Sequence, residues 1–325
     1  MERTDMPEMA HAAAPCRRHG AIGVHSIDRF VFSVPDIDRA EHFYRAFGLD
    51  VKRVGQRLEL FTFGHPHCWG HVHQDGEHKR LQYLRMGVYA EDWATLLARV
   101  DSVGAGAPAH PRGDGDGLWA RCPDGLLVQL VVAPKVSPSV KSPKRPELPL
   151  PPGVGAAPAR SQVSPVRPRH LSHVLLFTPD VPAQIAFMTS VLGLRLSDRS
   201  GDLIAFLHGA HGSDHHLVAL ARSGAPGLHH TSWDVASVDE VGGGGEQMRA
   251  AGYADGWGVG RHVLGSNYFQ YVRDPWGSYA EYSFDIDFVP HDVDWQAGDH
   301  APEDALYVWG PAVPADFTTN FEHSA

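Results

Sequence analysis

The sequence predicts an α+β protein built from tandem βαβββ modules, and three observations carry that expectation. The first is that one design is written twice. "HSIDRFVFSVPDIDRAEHFYRAFGLDVKR", from His25, matches "RHLSHVLLFTPDVPAQIAFMTSVLGLRLSD", from Arg169. Pro35-Asp36 falls on Pro179-Asp180 and Phe43 on Phe187, at a constant offset of 144 residues. Each copy reads as a strand, a Pro-Asp turn, an amphipathic helix, a Gly-Leu break and a strand. The second observation is a later match, "CPDGLLVQLV" with "RDPWGSYAEYSF", in which Gly125 falls on Gly277 at an offset of 152. Loop insertions account for the drift. The third is the filling between these blocks. Short strand-like runs ("RLELFTF" and "KRLQYLRMGVYA"; "DLIAFLHG", "HHLVALA" and "HHTSWDVA") precede a second helix in each half, "AEDWATLLARV" and "VDEVGGGGEQMRAAG". A period this long does not suit a solenoid and does suit curved, paired sheets.

Composition narrows the function. The chain has 325 residues, 43% of them hydrophobic, enough for two domains with real cores. A formal charge of −10 argues against nucleic acid as the main partner. No apolar run approaches the ~18 residues of a spanning helix, so no membrane partner is expected. Three dispersed cysteines, Cys16, Cys68 and Cys122, fit a reducing cytoplasm and form neither a disulfide framework nor a thiolate zinc site.

Boundaries follow from local composition. Residues 1–22 read as a disordered tail. Residues 23–134 form the first half and 169–290 the second. Between them, the stretch from Ala133 to Pro168 holds ten prolines and no apolar period, so 135–168 is expected to be an extended linker. Residues 285–325 carry nine Asp or Glu, no Lys or Arg, and interleaved aromatics. That mixture suggests a tail over 291–325 that packs on the second half and closes over its pocket.

The repeat resembles the vicinal oxygen chelate superfamily, and the second half resembles the two-domain type I extradiol catechol dioxygenases. The resemblance covers roughly residues 23–290 and implies two barrels, the N-terminal one non-catalytic. It implies a non-heme metal, Fe(II) with Mn(II) as the variant, held by two imidazoles and one carboxylate that leave neighbouring positions open. His173, His230 and Glu281 match those ligand positions, each on its own expected strand. His229 should then point to the opposite face of its strand. The first half carries Arg29, approximately Arg85, and Gln129 at the corresponding places.

Other matches assign the remaining roles. "DHHLVAL" fits the family's His-x-x-Ala-Leu pattern and places an unligated acid–base histidine at His216. Gly260-Arg261-His262, Asp274-Pro275-Trp276-Gly277 and Glu281 fit a second signature, with a departure at Phe269-Gln270. By this match His262 donates to the substrate oxygen and Tyr271, nine residues on, contacts the bound hydroxyl. The dense run "HGAHGSDHH" therefore contributes His216, while His208 and His211 read as loop or surface residues. "HPHCWGHVH" (His65 to His73) reads as a hairpin loop and sheet edge. Trp233, Trp257 and Trp276 suggest surroundings suited to an aromatic ring, and Asn267 is a weak pocket candidate.

The resemblance implies meta cleavage of a catechol-type aromatic, a substituted catechol or trihydroxybenzene, with O2, giving a hydroxymuconic semialdehyde-type product. It also implies a homo-oligomer. Two alternatives stay open. One is another metalloenzyme of the superfamily, such as a 2-oxo acid-dependent aromatic dioxygenase, and the other is a non-catalytic aromatic-ligand binding protein.

Overall fold

A computed structural model describes residues 16–145 and 150–323. Residues 1–15 of the expected N-terminal tail lie outside them. Residues 16–22 are held against the body, since Arg17 pairs with Glu91 and with the buried Asp92.

The first half runs β1 (Ser26–Val34), α1 (Ile37–Ala46), β2 (Asp50–Val54), β3 (Arg57–Phe61) and β4 (Gly70–Gln74). It continues with β5 (Arg80–Val88), α2 (Trp93–Ser102), β6 (Leu118–Arg121) and β7 (Leu127–Val132). The second half repeats the order: β8 (His170–Thr178), α3 (Val181–Ser190), β9 (Arg195–Ser200), β10 (Ile204–His208), β11 (Ser213–Asp214) and β12 (Val218–Arg222). Then come β13 (Gly227–Asp234), α4 (Val238–Ala250), β14 (Gly256–His262), β15 (Tyr268–Arg273) and β16 (Tyr279–Phe284). The C-terminal segment adds β17 (Phe288–Val289), β18 (Gly298–Asp299), α5 (Pro302–Ala305) and β19 (Tyr307–Trp309). None of the described helices is long and apolar enough to cross a membrane.

The repeated motifs have physical causes. Asp36 caps α1 by accepting from the backbone N–H of Asp38 and Arg39, and Asp180 caps α3 by accepting from Ala183. The Gly-Leu break needs glycine twice over. Gly48 and Gly193 sit at φ of +96° and +74°, and a Cβ there would lie 2.1 Å from the Val166 carbonyl oxygen and 2.2 Å from that of Ile22.

Strand order in the first sheet is β2-β3-β4-β1-β5-β7-β6, and in the second β18-β9-β10-β12-β8-β13-β16-β15-β14-β19. The centres are identical in design. β1 pairs parallel with β4 and antiparallel with β5, which pairs parallel with β7. β8 does the same with β12 and β13, and β13 with β16. β4 is thus an interior strand of the sheet, not an edge, so His71 is buried against its neighbours. Two of the three short strands of the C-terminal segment extend both edges of the second sheet, β18 on β9 and β19 on β14, while β17 pairs with β11.

The halves share an apolar core. Phe47 stacks on Tyr282 at 4.0 Å, and the Tyr282 hydroxyl donates to the Phe47 carbonyl at 2.9 Å. Phe30 meets Trp233 edge-on at 6.2 Å. Beside this lies a buried ion pair between Lys79 and Asp274. Asp274 also accepts from the backbone N–H of Trp276 and Ser278, and Lys79 sits over the Phe32 ring at 4.6 Å. Glu322 bonds the backbone N–H of Leu81 in one half and of Leu228 in the other. Removing one member of a buried pair strands the other charge, which costs about 3–5 kcal/mol. Lys79→Met is therefore expected to lower unfolding stability by about that amount in denaturant titration, and Lys79→Met/Asp274→Asn to recover part of it.

Candidate metal centre

Register brings the three expected ligands together. Ser232 on β13 pairs with His173 on β8 and with Glu281 on β16, and His230 lies two residues before Ser232 on the same face. Nε2 of His173 and Nε2 of His230 lie 3.4 Å and 3.6 Å from Oε2 of Glu281. Among the described residues, this is the group of metal-ligating side chains whose donor atoms converge, all within 4.8 Å. The histidines of the His65–His73 run do not converge in this way.

Hydrogen-bond directions settle the tautomers. The Ser172 hydroxyl donates to Asp214 Oδ2 at 2.7 Å, so its oxygen accepts from His173 Nδ1 at 3.2 Å. The His173 proton is thereby placed on Nδ1 and Nε2 is left bare. His229 Nε2 donates to the Phe317 carbonyl at 2.7 Å, so its Nδ1 must accept, at 2.7 Å, from His230 Nδ1. His230 Nε2 is bare for the same reason. It and Glu281 Oε2 are buried without a hydrogen-bond partner. Two bare imidazole nitrogens and a carboxylate oxygen, all buried and facing one point, fit a divalent cation of the two-histidine, one-carboxylate type.

The carboxylate is fully buried. Burial works to raise the Glu281 carboxyl, and the nearby His173 and His262 imidazoles outweigh it, holding it below its ordinary range. Asn267 adds a direct bond from Nδ2 to Oε1 at 3.1 Å. Burial pushes His216, His230 and His262 down and Tyr271 up, so all four stay neutral.

His173 and His230 of the triad open onto a cavity of about 370 Å³. His216, His262, Tyr271 and Asn267 line it with His173 and His230, as do Leu175, Ile204, Phe206, Leu264, Leu306 and Phe317. His262 Nδ1 donates to the Leu306 carbonyl at 2.8 Å, leaving Nε2 to accept from the Tyr271 hydroxyl at 2.9 Å. In this one-proton form His262 is an acceptor towards Tyr271, where the sequence match made it a donor to substrate. Residues of the C-terminal segment (Pro302 to Thr318) form one wall of the cavity.

Several expectations are corrected. His229 does not point away from the site. The β13–β8 register shifts between Leu228 and His230, and this bulge brings both histidines to the cavity. His208 and His211 are buried, not surface residues. His208 Nδ1 donates to Ser197 Oγ, and His211 Nε2 donates to Asp92 of the first half at 3.0 Å. None of the three tryptophans lines the cavity. Trp233 packs into the shared core, Trp276 packs against that core from its edge, and Trp257 lies behind Tyr271, nearly parallel at 5.7 Å.

In the first half the equivalent row is Arg29, Arg85 and Gln129, paired across β1, β5 and β7. Arg85 pairs with both neighbours, as Ser232 does, so the counterpart of His230 is Tyr83, not Arg85. Asp114 bridges Arg29 at 2.7 Å and Arg85 at 3.3 Å.

Comparison with known proteins identifies the scaffold. Residues 170–282 match the model of the Glyoxalase/Bleomycin resistance protein/Dioxygenase superfamily. Metapyrocatechase 2 of Cupriavidus necator is 52% identical over 321 residues, 98% of each chain. The chain belongs to the extradiol dioxygenases of the vicinal oxygen chelate superfamily. The fold agrees over nearly the whole length of this dioxygenase. A homoprotocatechuate 2,3-dioxygenase from Brevibacterium fuscum superposes with a TM-score of 0.73 at 19% identity, covering 96% of this chain and 85% of that one. A Mn(II)-bound glyoxalase from Novosphingobium aromaticivorans superposes at 0.70 with 27% identity, covering 90% and 93%.

The buried neutral histidines give the enzyme an acid limit. Burial, with His215, Arg195 and Arg18 nearby, pushes His208 from 6.5 to about 3. Between these values the unfolded chain binds the extra proton. The stability tied to His208 is therefore complete above pH 6.5 and is lost as the pH falls towards 3. At pH 5 the loss is about 2 kcal/mol. Melting of the metal-free protein is expected to drop between pH 6.5 and 5, with a shallower slope for His208→Gln.

Proposed function

We propose that this dioxygenase inserts both atoms of O2 into a catechol-type aromatic by meta cleavage, giving a hydroxymuconic semialdehyde-type product. His173, His230 and Glu281 hold one Fe(II), a set that serves Mn(II) equally. The observation that carries the reading is a buried triad with bare donor atoms beside a neutral imidazole, His216, that the triad does not use. When bound, the metal would supply binding positions for the catechol oxygens and for O2, and a path for electron density from ring to oxygen.

The chain's own residues do the rest. His216 lines the cavity next to His173, their ring centroids 3.9 Å apart. Burial keeps His216 neutral, so its imidazole has a lone pair with which to take a proton from a catechol hydroxyl and can return that proton to the departing oxygen. Tyr271, held by His262, presents a hydroxyl oxygen to the substrate oxygen. The walls exclude water and select the ring substituent. Leu175, Ile204, Phe206, Leu264 and Phe317 offer apolar contact, and Arg222, the cationic lining residue, is itself exposed. A substituted monocyclic catechol with an uncharged substituent fits best.

The test is anaerobic reconstitution with Fe(II) or Mn(II), then a panel of catechols in air, reading the yellow semialdehyde. His173→Ala, His230→Ala and Glu281→Ala are expected to lose bound metal. His216→Phe is expected to keep it and to lower turnover by about 10²–10⁴. Loss of metal in the His216 variant would reverse the assigned roles. Tight catechol binding without turnover in every reconstituted sample would leave only a binding protein.

A further inference from the structure

His216 does not stand alone. Its Nδ1 lies 3.1 Å from Nδ1 of His215, and His215 Nε2 lies 2.8 Å from Asp198 Oδ2. A carboxylate oxygen can only accept, so a His215 with one ring proton gives that proton to Asp198. His215 Nδ1 must then accept, and the proton it accepts is the one on His216 Nδ1. That leaves Nε2 of His216 as a bare lone pair for the cavity. All three side chains are buried.

The chain is pinned along its length. The backbone N–H of Gly298 donates to Asp198 Oδ1 at 2.7 Å, and His300 Nε2 reaches the same oxygen at 3.0 Å. Both belong to the C-terminal segment, where β18 lies beside β9. Ser197 Oγ donates to the His215 carbonyl, and the His215 N–H donates to the Asp287 carbonyl at 2.6 Å. Trp295 covers the His215 ring edge-on at 5.1 Å.

We propose that Asp198 and His215 are positioning residues that fix His216 in the one tautomer able to take a proton from the substrate. The inference rests on the base role given to His216 above. It makes a specific claim about polarity, because the direction of the whole chain is set by Asp198. In Asp198→Asn the Gly298 N–H still demands an oxygen at the Oδ1 position. The amide nitrogen then faces His215 and donates to its Nε2. His215 must carry its proton on Nδ1 and give it to His216 Nδ1, so His216 places its own proton on Nε2, facing the cavity. A near-isosteric change thus converts the base into a donor without altering shape.

The experiment uses the metal-loaded full chain. Bound metal, kcat and KM are measured together with the anaerobic visible spectrum of a nitro-substituted catechol, whose colour reports how many hydroxyl protons have left. Asp198→Asn and His215→Leu are expected to lower kcat by about 10–100-fold with metal content unchanged and to leave the bound nitrocatechol less ionised. His215→Gln can keep the same order, its amide nitrogen to Asp198 and its oxygen to His216, and is expected to retain most of the turnover and the wild-type spectrum. That rescue separates polarity from packing, and the His215 pair carries the test if Asp198→Asn fails to fold. His216→Asn supplies the reference. Wild-type kcat and spectrum in Asp198→Asn and His215→Leu, with both lost in His216→Asn, overturns the positioning role. An unchanged spectrum and turnover in His216→Asn overturns the base assignment itself.

Discussion

A fully buried carboxylate is expensive unless something compensates it, and the second half of this enzyme is organised around compensating Glu281. Its Oε1 is met by Asn267, while its Oε2 faces two imidazole nitrogens that carry no proton to give. Those nitrogens are bare because their partners on the far side of each ring are acceptors: a serine oxygen committed to Asp214 for His173, and His229 committed to a backbone carbonyl for His230. The protein thus withholds donors from the one atom that most needs them. A cation is the group that satisfies all three atoms at once, and an apolar cavity beside it keeps water from taking that place.

The first half shows the same backbone solving the opposite problem. Its matched row carries two guanidiniums and an amide, and the compensating charge comes from the chain itself, from Asp114. The sheet register is conserved between halves to the residue pair, while the chemistry on it is inverted from anion to cation. That contrast also explains why the halves can pack through one continuous apolar core. Phe30, Trp233 and Tyr282 stand on the opposite face of each sheet from the polar rows, and Phe47, at the end of α1, stacks on Tyr282 there.

Much of this was legible before any coordinates. Pro35-Asp36 and Pro179-Asp180 announce helix caps, Gly48 and Gly193 announce helix ends, and their constant offset announces duplication. The triad was legible only through family resemblance, because its members lie on three strands separated by more than fifty residues. What stayed hidden depends on geometry that alternation cannot report. His229 escaped because a bulge breaks the period of two. His208 and His211 escaped because their partners, Ser197 and Asp92, lie on other elements and, for His211, in the other half. Asn267 was legible as a pocket candidate, but its bond to the central carboxylate was not, because it lies just before β15 and its partner is on β16.

The acidic C-terminal segment was the least readable part, and it closes the hydrogen-bond accounting of the site. Three of the cavity's imidazole arrangements end on it: His262 on the Leu306 carbonyl, the His229–His230 pair on the Phe317 carbonyl, and the His216–His215–Asp198 chain on the Gly298 N–H and His300. Apart from the His300 side chain, these endpoints are backbone groups, two carbonyls and one N–H. Outside residue 300 the contacts therefore constrain the path of the segment more than its side chains. Adding β18 and β19 to the two edges of the sheet is what fixes that path. A histidine has one proton to place when neutral, and which nitrogen receives it depends on a partner several residues removed. For His229, His230 and His262 those partners are supplied last along the chain, so the direction of their protons is decided by the segment that closes over the site.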